Sequence, residues 1–485
     1  MSSDLRRSVL AGLRWLALAR LAGQLFAWAS TIIVIRLLAQ QDYGLMAMAM
    51  LVIGLLALIN ELGLGAALVQ SERAEQATIG QVLGLQLLVN AALCGLLYAL
   101  APWLAAFFNE PRLTSLVRVL GLQFPLGALG VVPRALLGRA MQFRYQSLAE
   151  LLRLLAGGTA TLSLALTGWG VWALVWGNLA ATLAEAMSLQ LLARSWVWPR
   201  FQLAGTRRLL GFGGTVTLGH ILFYLYNQSD QLLVGKLLGK EALGVYAVAL
   251  NLAVLPLHKL SGLLNDVAFA AYARLNRERS AVGQYVLKTG RLLSCFAFPV
   301  FFGIAASAPE LVTVLLGAKW QAVILPLQLL SPLMPLKMMG SSLVPALYGI
   351  GRPDIGVRNL LVACLVLPPA IYLGSDWGLT GVCLAWLSLY PLQFLYLLSL
   401  AAPVLGITVG AYLRTLAVAG LAATGMVGVV CWTRYWLEPL MLPPIIVLAS
   451  LVVAGAISYP LFMLGLRRDT VTEFLVLFRH SESIE

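Results

Sequence analysis

The chain has 485 residues, of which 60% are hydrophobic and 11% charged, with a formal net charge of +13. A soluble domain carries about 25% charged residues, so this composition excludes a water-soluble protein, as does a mean hydropathy of +0.87. A membrane-spanning helix takes about 20 apolar residues, so fourteen would use roughly 280–350 and leave only short connections, with no room for a sizeable domain outside the membrane.

Apolar runs bounded by Pro, Gly and charge clusters predict helices at 14–38, 43–69, 79–107, 113–137, 147–166, 169–193, 208–238, 241–272, 286–306, 322–348, 355–373, 377–400, 409–432 and 440–465. The first run continues past the length of a signal-peptide core, and its pattern recurs mid-chain, so it reads as a permanent helix. Short interfacial pieces fall at Phe107–Leu113 and Glu310–Trp320. The tail from Arg467 to Arg479 alternates charge with Val471, Phe474, Leu475 and Phe478, the pattern of an amphipathic helix on a membrane surface. Trp103, Trp169, Trp320 and Trp377 fall near one predicted interface and Trp196 and Trp198 near the other, which is an aromatic belt. Cys94, Cys295, Cys364, Cys383 and Cys431 all lie in apolar runs without CxxC spacing and read as small buried hydrophobes.

With the N-terminus inside, twenty Lys and Arg residues fall in inner connections and seven (Arg36, Arg112, Arg118, Lys236, Lys240, Lys319, Arg434) in outer ones. That bias places both termini in the cytoplasm. The positive charge is therefore a topology signal and not a nucleic-acid surface.

The sequence also repeats. VIRLLAQQDYGLMAMAM (34–50) aligns with VGKLLGKEALGVYAVAL (234–250) at an offset of 200, Trp169-Gly170-Val171 with Trp377-Gly378-Leu379 at 208, and Ala135–Gly138 with Ala346–Gly349 at 211. Six helices intervene per offset, so the halves run in the same direction, as in transporters whose two lobes rock against each other. The expected architecture is an all-α polytopic membrane protein of about 14 transmembrane helices. An N-terminal six-helix lobe spans 1–195 and a second, pseudo-symmetric one 196–402. Two extra transmembrane helices occupy 403–466, and a cytoplasmic amphipathic tail 467–485.

The segment LLAQQDYGLMAMAMLVIGLLALINELGLGAALVQ (37–70), with Asp42-Tyr43-Gly44, and the segment YNQSDQLLVGKLLGKEALGVYAVA (226–249) resemble the WzxC-like oligosaccharide flippases. These belong to the multidrug/oligosaccharidyl-lipid/polysaccharide exporter superfamily. The resemblance implies a multi-pass protein of the bacterial inner membrane that moves undecaprenyl-diphosphate-linked repeat units from the cytoplasmic to the periplasmic leaflet. It also implies membrane lipids and other polysaccharide assembly proteins as partners, and a monomer.

Ionisable and polar residues inside spans mark candidate sites. Arg20, Gln24 and Thr31 share one face of the first helix, and Thr217, His220, Tyr224, Asn227 and Gln231 form a stripe on the seventh, spaced 3, 4, 3, 4, with Asp230 beside it. The offset of 200 puts Arg20 opposite His220. Asn60 and Glu61 add to the second helix; His258, Lys259, Asn265 and Asp266 add to the eighth, and Lys337 lies in the tenth. On the functional reading Arg20 and Lys259 supply charge for a diphosphate, and Gln24, Asn60, Thr217, His220, Tyr224, Asn227 and Gln231 offer hydrogen bonds to sugar hydroxyls. On the structural reading the charges pair with one another across helices. Glu185, alone in the sixth helix, reads as a packing partner. Na⁺ or H⁺ coupling would fall to Glu61, Asp230 or Asp266; no cofactor or metal motif is present. Pro299, Pro326, Pro332, Pro335 and Pro345 are candidate bending points.

No GxxxxGK[ST] loop, HExxH or nucleophile elbow occurs outside the spans, so neither an ATPase module nor an enzyme is expected. The alternatives are a multidrug or cation-antiporting exporter of the same superfamily, a membrane polymerase or ligase acting on the same lipid carrier, and a scaffold that has lost transport.

Overall fold

The computed structural model describes residues 22–60, 76–194, 197–201, 207–275 and 279–466, with side chains described except at 59–60, 76–78, 207–220, 258–275 and 279–281. No strand occurs among the described residues. The first half of the chain holds α1 (Ala22–Leu37), α2 (Gln40–Asn60), α3 (Gln76–Phe108), α4 (Arg112–Leu120), α5 (Gln123–Arg139), α6 (Phe143–Leu166) and α7 (Val171–Ala193). Then follow α8 (Arg207–Leu237), α9 (Gly239–Leu275), α10 (Arg279–Ala306), α11 (Ala308–Leu315), α12 (Ile324–Leu330), α13 (Met334–Gly349), α14 (Pro353–Gly374), α15 (Gly378–Leu405), α16 (Val409–Leu437) and α17 (Pro444–Leu466).

Ten stretches of the described residues are long and apolar enough to cross a membrane, and one of them, Pro353–Leu405, is α14 and α15 joined through a 3-10 turn. With α1, α7 and α8, and with α4–α5 and α12–α13 each counted as one rod, the described residues form fourteen rods plus the short α11. The chain is an all-α polytopic membrane protein.

The breaks between rods have local causes. α3 stops where Asn109 takes a left-handed φ of 54° and Pro111 follows. The span expected as one helix over 113–137 steps at Gly121–Leu122, where Leu122 and Phe124 donate to carbonyls three residues back. The rod expected over 322–348 is likewise interrupted by a 3-10 turn at Ser331–Leu333, centred on Pro332. Gly406 (φ 69°) ends α15, and the Thr408 hydroxyl accepts the Ala411 N–H at 3.1 Å to start α16.

The chain divides into two compact units, Met1–Gly244 and Val245–Glu485, so α9 runs through the boundary. In the first unit α6 and α7 pack closely because Gly157 faces Ala181 and Gly177 faces Thr161. Val34, Leu38, Ala165 and Ala173 make one buried cluster and Leu137, Ala149 and Leu189 another. The second unit buries Trp320, Trp386, Tyr412 and Phe301. The Arg434 guanidinium holds both oxygens of Glu310 at 2.7 Å and also reaches the Ala306 carbonyl, tying α16 to α11.

Two expectations are corrected. Trp103, Trp169, Trp377 and Trp198 are exposed as a belt requires, but Trp320 is fully buried, because its 3-10 turn Ala318–Val323 folds inward beside Val312 and Leu327. Among the cysteines only Cys383 is buried, and Cys431 is exposed on α16; on a membrane-spanning helix a thiol is stable against lipid as well as against protein.

Candidate functional site

The polar stripe of α8 lies in the first unit. Tyr224 is half-buried, and its hydroxyl donates to the Leu51 carbonyl of α2 at 2.8 Å and to that of Met50 at 3.3 Å. Two turns on, the Gln231 side chain donates to that of Gln228 at 2.7 Å, and Asn227 is half-buried. Asp230 is 1% exposed, and its carboxylate accepts the Gln231 N–H. The Tyr224 side of α8 thus packs on α2, which supplies the partner its hydroxyl needs away from water. Gln24 is half-buried on α1. Arg20 and Glu61 lie outside the described residues, as do the side chains of Asn60, Thr217, His220, Lys259 and Asp266.

Beyond the stripe, the starts of α2 and α9 cross backbone to backbone. A methyl group on Gly44 would overlap the Lys240 carbonyl oxygen, and one on Gly244 would overlap that of Gln40. Pairs of residues 200 apart, Gln40 with Lys240 and Gly44 with Gly244, thus meet in a reciprocal contact that follows the sequence repeat. The Asp-Tyr-Gly motif now has a physical reading. The Asp42 carboxylate accepts the Ala39 N–H at 3.0 Å and caps α2, Tyr43 packs on the Val34–Leu38–Ala173 cluster, and Gly44 permits the crossing. Gly239, at φ 84°, makes the tight turn between α8 and α9. Lys240 then pairs with Glu110 at 2.6 Å, while Lys236 donates to the Phe107 carbonyl at 2.5 Å with its ammonium 5.0 Å from the Phe107 ring centre. The interfacial piece at 107–113 is thereby bound to the α8–α9 turn.

Sequence reasoning missed a third feature. α5 and α7 diverge around a crevice of about 430 Å³ lined by Gly127, Gly130, Arg134, Thr182, Glu185 and their neighbours. On α5 the lining residues fall at 127, 130, 131, 134, 135 and 138, one helical face. Glu185 pairs with Arg134 and stands 3.8 Å from the Arg153 guanidinium. The Gln146 amide donates to the Arg134 carbonyl at 3.0 Å and lines the crevice at its end. Glu185, expected as a packing partner, is an ion-pairing group shared by two arginines. The signal was present as a face of small residues interrupted by Arg134 in one helix and Glu185 in another.

The polysaccharide biosynthesis protein family model matches residues 33–325. The chain is 24% identical to the lipopolysaccharide biosynthesis protein WzxC of Escherichia coli (strain K12), over 85% of each chain. It is 26% identical to the succinoglycan biosynthesis transport protein ExoT of Rhizobium meliloti (strain 1021), over 73% of this chain and 72% of that one. Its fold is similar to that of the lipid II flippase MurJ in an inward closed conformation, with a TM-score of 0.76 at 13% identity, covering 94% of this chain and 99% of the other. The family match spans more than half of the residues and includes both the α2–α9 crossing and the stripe: the chain belongs to the polysaccharide biosynthesis protein family.

Proposed function

We propose that this protein flips undecaprenyl-diphosphate-linked oligosaccharide repeat units across the bacterial inner membrane during surface polysaccharide biosynthesis, by alternating access of two lobes. The observation that carries the reading is the reciprocal contact of Gly44 with Lys240 and Gly244 with Gln40. It joins two repeat-related helices at one end of the membrane while the polar stripe of α8 extends from that end toward the other. Such an arrangement closes a polar pathway on the side of the crossing while the other side is open, and separation of the crossing opens it on the side of the crossing. The names of WzxC, ExoT and MurJ add that similar chains serve polysaccharide synthesis, succinoglycan transport and lipid II flipping.

The transport halves in this reading are those of the repeat, 1–195 and 196–402, with 403–466 as an extension. Both termini are cytoplasmic, which puts the α2–α9 crossing on the periplasmic side. The substrate moves without a covalent bond being made or broken, and the protein works as a monomer beside the other polysaccharide assembly proteins. Arg20 and Lys259 meet the diphosphate, while Gln24, Asn60, Thr217, His220, Asn227 and Gln231 meet sugar hydroxyls; the Tyr224 hydroxyl is held by the Leu51 carbonyl instead. Coupling to Na⁺ or H⁺ falls to Asp230, with Glu61 and Asp266 as the other carboxylates.

The test is reconstitution into proteoliposomes with a fluorescent polyprenyl-diphosphate oligosaccharide, scoring the fraction exposed to a quencher outside. Transfer between leaflets that Arg20→Ala abolishes is the expected result. Wild-type protein that leaves the label on its original side overturns the reading.

A further inference from the structure

We propose that the crevice between α5 and α7 is a binding site for a lipid-borne phosphate, separate from the stripe on α8. The chemistry is in two parts. Partway along the crevice Arg134 pairs with Glu185, and Arg153 of α6, just outside the lining, reaches the same carboxylate, with Glu150 at 4.0 Å from Arg153 and largely exposed. Each guanidinium carries five N–H donors, more than the one half-buried carboxylate between them accepts. Among the described residues of the three helices, Arg144 lies at the start of α6 and Arg194 just past the end of α7, so arginine outnumbers glutamate on this side. That excess suits a phosphate, which arginine binds through paired N–H groups.

The other part is a wall of Gly127, Gly130, Val131, Ala135, Ala186 and Leu189. From Arg134 to Gly127 it runs about 10 Å along α5. A free anion gains nothing from such a wall, whereas a lipid places its phosphate at the arginines and a chain along the groove. Two kinds of lipid share this chemistry, an anionic phospholipid and the polyprenyl phosphate carrier. In the second case alone the site rests on the transport reading above.

The test uses the full chain, purified in mild detergent, stripped of lipid and examined by native mass spectrometry. It is offered phosphatidylglycerol, a polyprenyl monophosphate, a neutral diacylglycerol or inorganic phosphate. Retention of a phosphate-bearing lipid, falling about tenfold in the Arg134→Ala, Arg153→Ala double variant, is expected. Gly127→Leu, where a Cβ meets only the Thr182 methyl carbon at 3.8 Å, fills the groove without touching the charges and lowers retention as well. Preference for polyprenyl phosphate identifies the carrier, and preference for phosphatidylglycerol an ordinary membrane lipid; both support the site. Equal retention by wild type and Gly127→Leu, binding of diacylglycerol as strong as that of the phosphate lipids, or binding of inorganic phosphate alone overturns it. Lipid retention does not depend on flipping, so a protein inactive in proteoliposomes that still shows this pattern loses the transport reading and keeps the site.

Discussion

Gly44 and Gly244 stand 200 residues apart in sequence and at one helix crossing in space, each lying against the backbone of the residue four positions before the other. A pair of helices that meets through backbone is sensitive to any side chain, because no flexible atom exists to move aside. Gly244→Leu therefore drives α2 and α9 apart. An overpacked contact costs about 1–3 kcal/mol, equivalent to roughly 5- to 150-fold in the equilibrium between closed and open crossings. Cysteines placed at Gln40 and Lys240 report this directly: their crosslinking yield falls in Gly244→Leu, while membrane accumulation stays near wild type. Undiminished crosslinking shows that the crossing is not set by the glycines.

Lys240 and Glu110 tie the same crossing to the end of α3. Both side chains are partly shielded, so their coupling lies at the upper end of the range of about 0.2–1 kcal/mol typical of open surface pairs. A double-mutant cycle with Lys240→Gln and Glu110→Gln, read from thermal unfolding in detergent, is expected to give a coupling of about 1 kcal/mol. The charge-swapped pair Lys240→Glu, Glu110→Lys recovers part of it. A coupling near zero reduces the contact to two independent surface charges.

Glu185, itself largely buried, balances two partly exposed arginines. In Glu185→Gln the shape remains but Arg134 loses its carboxylate and Arg153 keeps only Glu150 at 4.0 Å. Removing one partner of a fully buried pair costs about 3–5 kcal/mol; with Arg134 half exposed, about 1–2 kcal/mol is expected. Arg134→Gln is milder, because Glu185 keeps Arg153. Thermal unfolding of the two variants gives the ranking, and a larger loss for Arg134→Gln contradicts the shared-carboxylate arrangement.

The fold was largely readable from hydropathy and charge, since a helix in a bilayer must satisfy its own backbone and declare its length in apolar residues. The offset of 200 between Gly44 and Gly244 was readable too, though not that the repeat would be expressed as a physical contact. What could not be read were contacts set by where one helix face meets another. Trp320 matched the interfacial pattern in sequence and is buried because its turn folds inward. Arg134 and Arg153 fall in separate predicted spans, 113–137 and 147–166, and only the packing of α5, α6 and α7 brings them to Glu185. In the stripe the periodicity correctly placed Tyr224, Asn227 and Gln231 on one face, yet only the packing of α2 revealed that Tyr224 is spent on the Leu51 carbonyl.

That last contact separates a structural from a substrate-binding role for Tyr224. Its hydroxyl already donates to α2, and its ring fills the space left by Gly54, where a Cβ would lie 2.9 Å from the ring carbon bearing the hydroxyl. Tyr224→Phe loses one hydrogen bond, about 0.5–1.5 kcal/mol, and leaves the Leu51 carbonyl to its helical partner. Gly54→Ala forces the ring aside at a cost of about 1–3 kcal/mol, and Tyr224→Phe does not relieve it, because ring carbons as well as the hydroxyl stand in the way. Unfolding temperatures are therefore expected to fall in the order wild type, Tyr224→Phe, Gly54→Ala, with the double variant no better than Gly54→Ala alone. Transport by Tyr224→Phe should stay within a few-fold of wild type once corrected for folded protein. A complete loss of transport at full stability would instead place the hydroxyl on the substrate, which means that the bond to Leu51 breaks during the cycle.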